Sequence, residues 1–273
     1  MEGEKRVAEK IRIERLTKQF EVRDKNNKQG LSTFTAIEAI DLVIHEGEFL
    51  TIVGPSGCGK STLLDLLAGL STPTRGRILI DGREVTGPGL DRGIVFQQYA
   101  LFPWKTARGN IEFGLEAKGV PRSEWKALTD HYLELVGLQN FGDRYPHELS
   151  GGMKQRVAIA RSLAFNPDVL LMDEPFAALD AQTREMLQTE LLRIWEKTKK
   201  TIIFITHGID EAVYLGQRVV VLTPNPGRVK QIVEVPLSSR LADVDLKSSH
   251  DFVRIRREVW NLLHEQEYQG AYI

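Results

Sequence analysis

The chain is poor in several things that would each have steered its reading. Its 273 residues include one cysteine, Cys58, so no internal disulfide can form and a reducing compartment is expected. No apolar run approaches the length of a bilayer span, and Met1–Lys10 is charged without the apolar segment of a secretion signal. The expectation is a protein made and kept in the cytosol, reaching a membrane only through a partner. Charge of one sign is lacking too: 36 Lys and Arg stand against 37 Asp and Glu, a net charge of -1. A global basic field for nucleic acid or anionic lipid is therefore missing, and no nucleic-acid partner is expected. Internal repeats and low-complexity segments are also lacking.

What is present is alternation. Short apolar runs rich in β-branched residues, Ile78–Ile80, Ile94–Phe96, Val169–Met172, Ile202–Ile205 and Val219–Leu222, alternate with longer helix-like stretches. That pattern predicts an α/β fold with a mostly parallel sheet and helices on its faces. Ile11–Leu16, Ala39–Ile44 and Phe49–Val53, separated by polar or Gly-containing turns, predict an antiparallel lead-in, with Asp24–Gly30 as a solvated hairpin tip. From Pro103 to Leu149 the strand pattern stops, and Trp125, Leu128, Tyr132, Leu135 and Val136 recur at helical spacing, predicting an inserted helical subdomain. Phe252, Val253, Ile255, Val259, Trp260, Leu262 and Leu263 predict an amphipathic helix over 252–264.

The most informative segment is Gly54-Pro55-Ser56-Gly57-Cys58-Gly59-Lys60-Ser61-Thr62, between the apolar run Phe49–Val53 and the apolar stretch Leu63–Leu70. Gly54 and Gly59 let successive backbone N–H groups turn inward on a phosphate chain, and the helix opening near Lys60 adds the positive end of its dipole. Lys60 can reach the β- and γ-phosphates, and the Ser61 hydroxyl can ligate magnesium. Cys58 reads as a small loop residue, since the loop's chemistry uses backbone amides.

A phosphate loop alone does not separate kinases, GTPases, helicases and transport ATPases. Val169-Leu170-Leu171-Met172-Asp173-Glu174 ends an apolar strand in two acids: Asp173 suits magnesium and Glu174 suits polarising an attacking water. Gln97 and His207 each follow an apolar strand, where nucleotides bind in open α/β sheets. The Gln97 amide can contact magnesium or the water; His207 can hydrogen-bond a γ-phosphate or serve as a strand-end structural residue. Ser150-Gly151-Gly152 precedes a helix expected over 153–165 and makes a second anion-binding turn, which one chain does not need for one nucleotide.

In this combination the chain resembles the ATP-binding subunits of ABC transporters over nearly its whole length. The loop Gly54–Thr62 matches the family's Walker A, Gln97 its Q-loop, Leu149–Gln155 its signature, Val169–Asp173 its Walker B, Ala177–Asp180 its D-loop and His207 its switch histidine. The resemblance implies a phosphate-loop NTPase (RecA-like) fold, with a nucleotide-binding core over 1–98 and 150–235, a helical subdomain over 99–149 and a helical tail over 236–273. It implies ATP and Mg2+ as ligands and Glu174 as general base. It also implies a homodimer, or a pair with a similar ATPase subunit, in which Ser150, Gly151, Gly152, Gln155 and Asp180 complete the partner's nucleotide site. An aromatic that stacks on adenine is implied near the N-terminus; Phe20 fits, Phe34 is its rival, and a core role is the other reading of each.

Finer similarity points to the nitrate, sulfonate and taurine importer branch, carried by Ala100–Trp104, Asn110–Leu115, Gly151–Arg156, Asp173–Asp180 and Asn225-Pro226-Gly227-Arg228. Gly208 departs from the acid that commonly follows the switch histidine, and Ala177 from the usual glycine or serine. The branch implies integral membrane permease subunits, an extracytoplasmic solute-binding protein and a place on the cytoplasmic face of the membrane. Phe102-Pro103-Trp104 would help receive the permease, with burial as the alternative for Trp104. A non-transport ABC ATPase acting on nucleic acid or ribosomes is the rival class; its usual long coiled-coil insertion or tandem cassettes are not seen.

Overall fold

The computed structural model describes residues 8–23, 31–237, 240–241 and 245–269, and the hairpin tip expected at Asp24–Gly30 lies outside them. In chain order the elements are β1 (Glu9–Arg23), β2 (Leu31–His45), β3 (Phe49–Val53), α1 (Lys60–Ala68), β4 (Arg75–Ile80), β5 (Arg83–Glu84) and β6 (Arg92–Val95). Then come α2 (Ala107–Ala117), α3 (Arg122–Leu135), α4 (Gly151–Ala164), β7 (Val169–Asp173), α5 (Ala181–Thr198) and β8 (Thr201–Ile205). The chain finishes with α6 (Ile209–Leu215), β9 (Arg218–Leu222), β10 (Val229–Glu234) and α7 (His250–Gln269). They divide into two compact units, 1–88 with 205–273, and 89–204.

In the first unit an antiparallel sheet runs β2-β1-β4-β5, and β3 pairs parallel with β9, which pairs antiparallel with β10. Phe49–Val53, expected in the antiparallel lead-in, is thus a parallel strand. Ile78–Ile80, expected among the parallel strands, lies in β4, antiparallel to β1. The cause is burial: every residue of β3 is buried, as befits a strand covered on both faces, whereas β4 buries only Ile78 and Ile80 on one. The half-exposed strand β10 was not expected at all. In α7, Phe252, Ile255 and Val259 pack against Val219, Val221, Val233 and Ala212, while Val253 and Trp260, expected on the apolar face, are exposed. The helical angle decides this, since 252, 255 and 259 share one face and 253 and 260 turn away from it.

In the second unit β6 and β7 pair parallel, with β8 next to β7. Helix α4 buries Val157, Ala158, Ala160 and Leu163, and its Ser162 hydroxyl donates to Ile94 O on β6 at 2.8 Å. Gly114 lets α2 lie directly on α4: a methyl group there would come within 2.7 Å of Arg161 O. Asn110, fully buried on α2, accepts from Phe102 N and donates to Phe102 O, Lys105 O and Thr106 O, fixing the segment before the helix.

Candidate nucleotide site

In the first unit β3 runs through the loop Gly54–Gly59 into α1. The cap residue Gly59 has φ 92° and no side chain to bond the first-turn amides, which are therefore left for a ligand. Only glycine serves there, because a methyl group at Gly59 would also meet Ala36 O at 2.8 Å. Ser56, Gly57 and Ser61 are exposed, and Pro55 and Thr62 half-buried. Lys60 is 8% exposed, and its Nζ donates to Gly54 O (2.8 Å) and Pro55 O (3.2 Å), so the cation lies folded along its own loop. Cys58 is buried, burial raises its thiol above the ordinary value, and a methyl group at Gly54 would sit 2.6 Å from its sulfur. It is a packing residue of the loop.

His207 is exposed just beyond β8. The residues around it are anchored: Thr206 N donates to Ile52 O at 3.1 Å, the Thr206 hydroxyl donates to Glu211 Oε2, and Gly208 N donates to the Thr206 hydroxyl at 2.9 Å. Phe20 and Phe34 are direct cross-strand partners on β1 and β2, each 40% exposed, with Lys18 Nζ 5.0 Å from the Phe20 ring centre. Exposure removes the core reading for both, and leaves two adjacent rings able to stack on a base.

In the second unit β7 ends at half-buried Asp173, followed by half-buried Glu174 at φ 43°, a left-handed conformation costly for a residue with a side chain. Asp180 caps α5 by accepting from Thr183 N at 2.9 Å, and that bonding holds its carboxyl below the usual range. Arg184, which sequence reasoning missed, closes this loop by donating to Phe176 O (3.3 Å) and Leu179 O (2.9 Å). Gln97 is exposed two residues past the end of β6. The turn after it, with Tyr99 and Ala100 both left-handed, is held by Arg161, whose guanidinium donates to Ala100 O (2.6 Å) and Tyr99 O (3.2 Å). Neither arginine belongs to a motif of its own: Arg161 binds backbone some sixty residues back along the chain, and Arg184 the loop just before its own helix.

Ser150 is exposed and its hydroxyl accepts from Met153 N at 3.3 Å, capping α4, while Gly151 and Gly152 form the helix's first turn rather than preceding it. Gly152 has a packing reason of its own, since a methyl group would come within 2.6 Å of Thr183 Cγ2. Gln155, which the resemblance places among the residues completing the partner's nucleotide site, is 0% exposed in this conformation. Phe102 packs edge-on against Phe113 and beside Trp104, which is exposed rather than buried.

A strand-loop-helix phosphate cradle, a strand closing in two acids and a serine-capped glycine turn define an ATPase cassette of the phosphate-loop class. The family model described as ABC transporter matches residues 37–177, and the chain belongs to that family. It binds and hydrolyses ATP as an ABC transporter ATP-binding protein. An uncharacterised ABC transporter ATP-binding protein of Methanocaldococcus jannaschii is 53% identical over 261 residues, 96% of this chain and 94% of that one. A nitrate import ATP-binding protein of Synechocystis is 50% identical over 237 residues, 85% and 89% of the two chains, and a taurine import ATP-binding protein of Roseobacter denitrificans is 44% identical over 260 residues, 94% and 95%. Among solved structures, a dimeric ATP-binding cassette in a post-hydrolysis state with ADP and Pi superposes with a TM-score of 0.70 at 33% identity, covering 83% of this chain and 99% of that one.

Proposed function

We propose that this chain energises an importer of a small solute, an anion of the nitrate, sulfonate, taurine or bicarbonate kind. The observation that carries the reading is the likeness, over most of both chains, to ATP-binding proteins named for nitrate and taurine import. Integral membrane permease subunits and an extracytoplasmic solute-binding protein complete the assembly, and the chain works from the cytoplasmic face of the membrane. Among the described residues no helix is long and apolar enough to cross a membrane, which fits a subunit that docks on a permease.

In this reading the amides of Gly54–Thr62 and Lys60 bind the phosphates, Phe20 or Phe34 stacks on the adenine, and Ser61, Asp173 and Gln97 serve magnesium. Among the described residues no group of three or more His, Cys, Asp or Glu could hold a metal by itself. That donor set fits an ion held mainly by phosphate oxygens with a hydroxyl and one carboxylate. Glu174 accepts the proton of the attacking water. His207 secures the γ-phosphate, and Ser150 with the amides of Gly151 and Gly152 binds the nucleotide of a second copy, beside Asp180. ATP between two copies closes the dimer and phosphate release lets it open.

Uptake measurements decide the solute. Disrupting the gene should abolish uptake of one labelled solute among nitrate, taurine, an alkylsulfonate and bicarbonate, and the Lys60→Ala gene should fail to restore it. Unchanged uptake of all four, or loss confined to a solute without an anionic group, would sink this reading.

A further inference from the structure

The segment Asn225-Pro226-Gly227-Arg228 has no part in the chemistry above, yet it is built against the back of the phosphate loop. Gly227 N donates to Ala36 O (2.9 Å), Glu38 N donates to Gly227 O (2.9 Å), and Arg228 pairs with Glu38 at 2.6 Å, so the turn is laced to β2. Inside the turn the Thr223 hydroxyl donates to Pro226 O (2.9 Å) and accepts from Arg228 N (3.0 Å). A methyl group on Gly227 would come within 1.9 Å of the Cys58 carbonyl oxygen, so this backbone rests directly on the loop's own backbone. On the adjoining side Gly59 lies against Ala36 O, the same carbonyl that accepts from Gly227. β2, the turn and the loop thus meet backbone to backbone.

That contact fixes a direction. In a planar trans peptide the C=O and the following N–H point opposite ways, so a Cys58 carbonyl facing Gly227 sends the Gly59 N–H away from it, to the other side of the loop. An inward set of loop amides is what a phosphate chain requires.

We propose that the Thr223–Arg228 turn is a positioning element for nucleotide: Gly227, held by Thr223 and by β2, sets the Cys58–Gly59 peptide so that the Gly59 amide faces phosphate. The role rests on the reading of Gly54–Thr62 as the nucleotide loop. The Thr223 hydroxyl bonds within the turn, on either side of Gly227, and acts through Gly227.

The test compares Thr223→Val, Thr223→Ser and Gly227→Ala in the full chain, by calorimetric MgATP binding, by KM and kcat of ATP hydrolysis, and by melting temperature without nucleotide. Thr223→Val should raise Kd and KM about fivefold, the worth of one hydrogen bond, with kcat at saturating ATP kept and Thr223→Ser restoring the original values. Gly227→Ala should raise Kd by about tenfold or more, because a displaced amide is lost to the phosphate outright. If Gly227→Ala does not fold, Thr223→Val with its serine rescue decides alone. Wild-type Kd and KM in Thr223→Val would overturn the proposal, as would a fall in melting temperature and kcat with KM unmoved. Failure of the unmodified chain to bind MgATP would instead overturn the nucleotide reading itself.

Discussion

Lys60 lies along its loop with two carbonyls as partners, so a nucleotide that takes up its ammonium must replace those bonds with stronger ones. Phosphate oxygens do so, since the ammonium then faces full negative charges instead of carbonyl dipoles, and a hydrogen bond to a charged group contributes about 1.5–3 kcal/mol. Lys60→Ala is therefore expected to weaken MgATP binding by about 10- to 100-fold in calorimetry. Unchanged affinity would remove Lys60 from the site. Cys58 gives a second expectation at this scale. Burial favours the neutral thiol and raises its titration, so the reactive thiolate is scarcer at pH 8 than in a free cysteine, and the sulfur is covered as well. Alkylation at pH 8 should lag that of free cysteine by about tenfold or more in the folded chain and catch up once urea unfolds it. A rate equal to the free amino acid's would mean that the loop is open in solution.

Asn110 shows what one side chain can do for an element: its amide bonds four backbone groups between Phe102 and Thr106 at the N-terminal end of α2. Asn110→Ala removes all four bonds from a fully buried amide; Phe102 O and Thr106 O keep their backbone donors Lys105 N and Asn110 N, and the loss should cost about 2–4 kcal/mol in urea unfolding. A loss under about 0.5 kcal/mol would mean that water replaces the amide. Nothing in a one-dimensional pattern singles out Asn110 from any polar residue on a helix. What the pattern does reveal is local: continuous apolar runs for β7, β8 and β9, the 3.6-residue period of α3 and α7, and the glycine spacing of the phosphate loop. What it hides is where a chain meets a distant part of itself. That is why β3 and β4 were assigned to each other's sheet, why the burial of Gln155 was not foreseen, and why Arg161 was missed.

At the scale of the molecule the open matter is whether the site belongs to one copy or two. Ser150 is exposed at the start of α4 and lies in the unit 89–204, while Lys60 lies in the other. A dimeric cassette bound to ADP and Pi is among the structural relatives, so a pair of copies is the arrangement to test. Glu174→Gln keeps the size of the side chain and removes the base; hydrolysis should fall by about 100-fold or more while MgATP is still bound, and the copies should accumulate as a dimer in sedimentation. In that background Lys60→Ala copies should stay monomeric, and so should Ser150→Arg copies, whose folding is checked by circular dichroism. Mixing the two kinds separates the alternatives. If sites are shared, one mixed pair brings the intact loop of the Ser150→Arg copy to the intact Ser150 of the Lys60→Ala copy, and MgATP should again produce dimer. If each copy binds nucleotide with its own two turns, every copy in the mixture is defective and the sedimentation profile should be the sum of the two monomers.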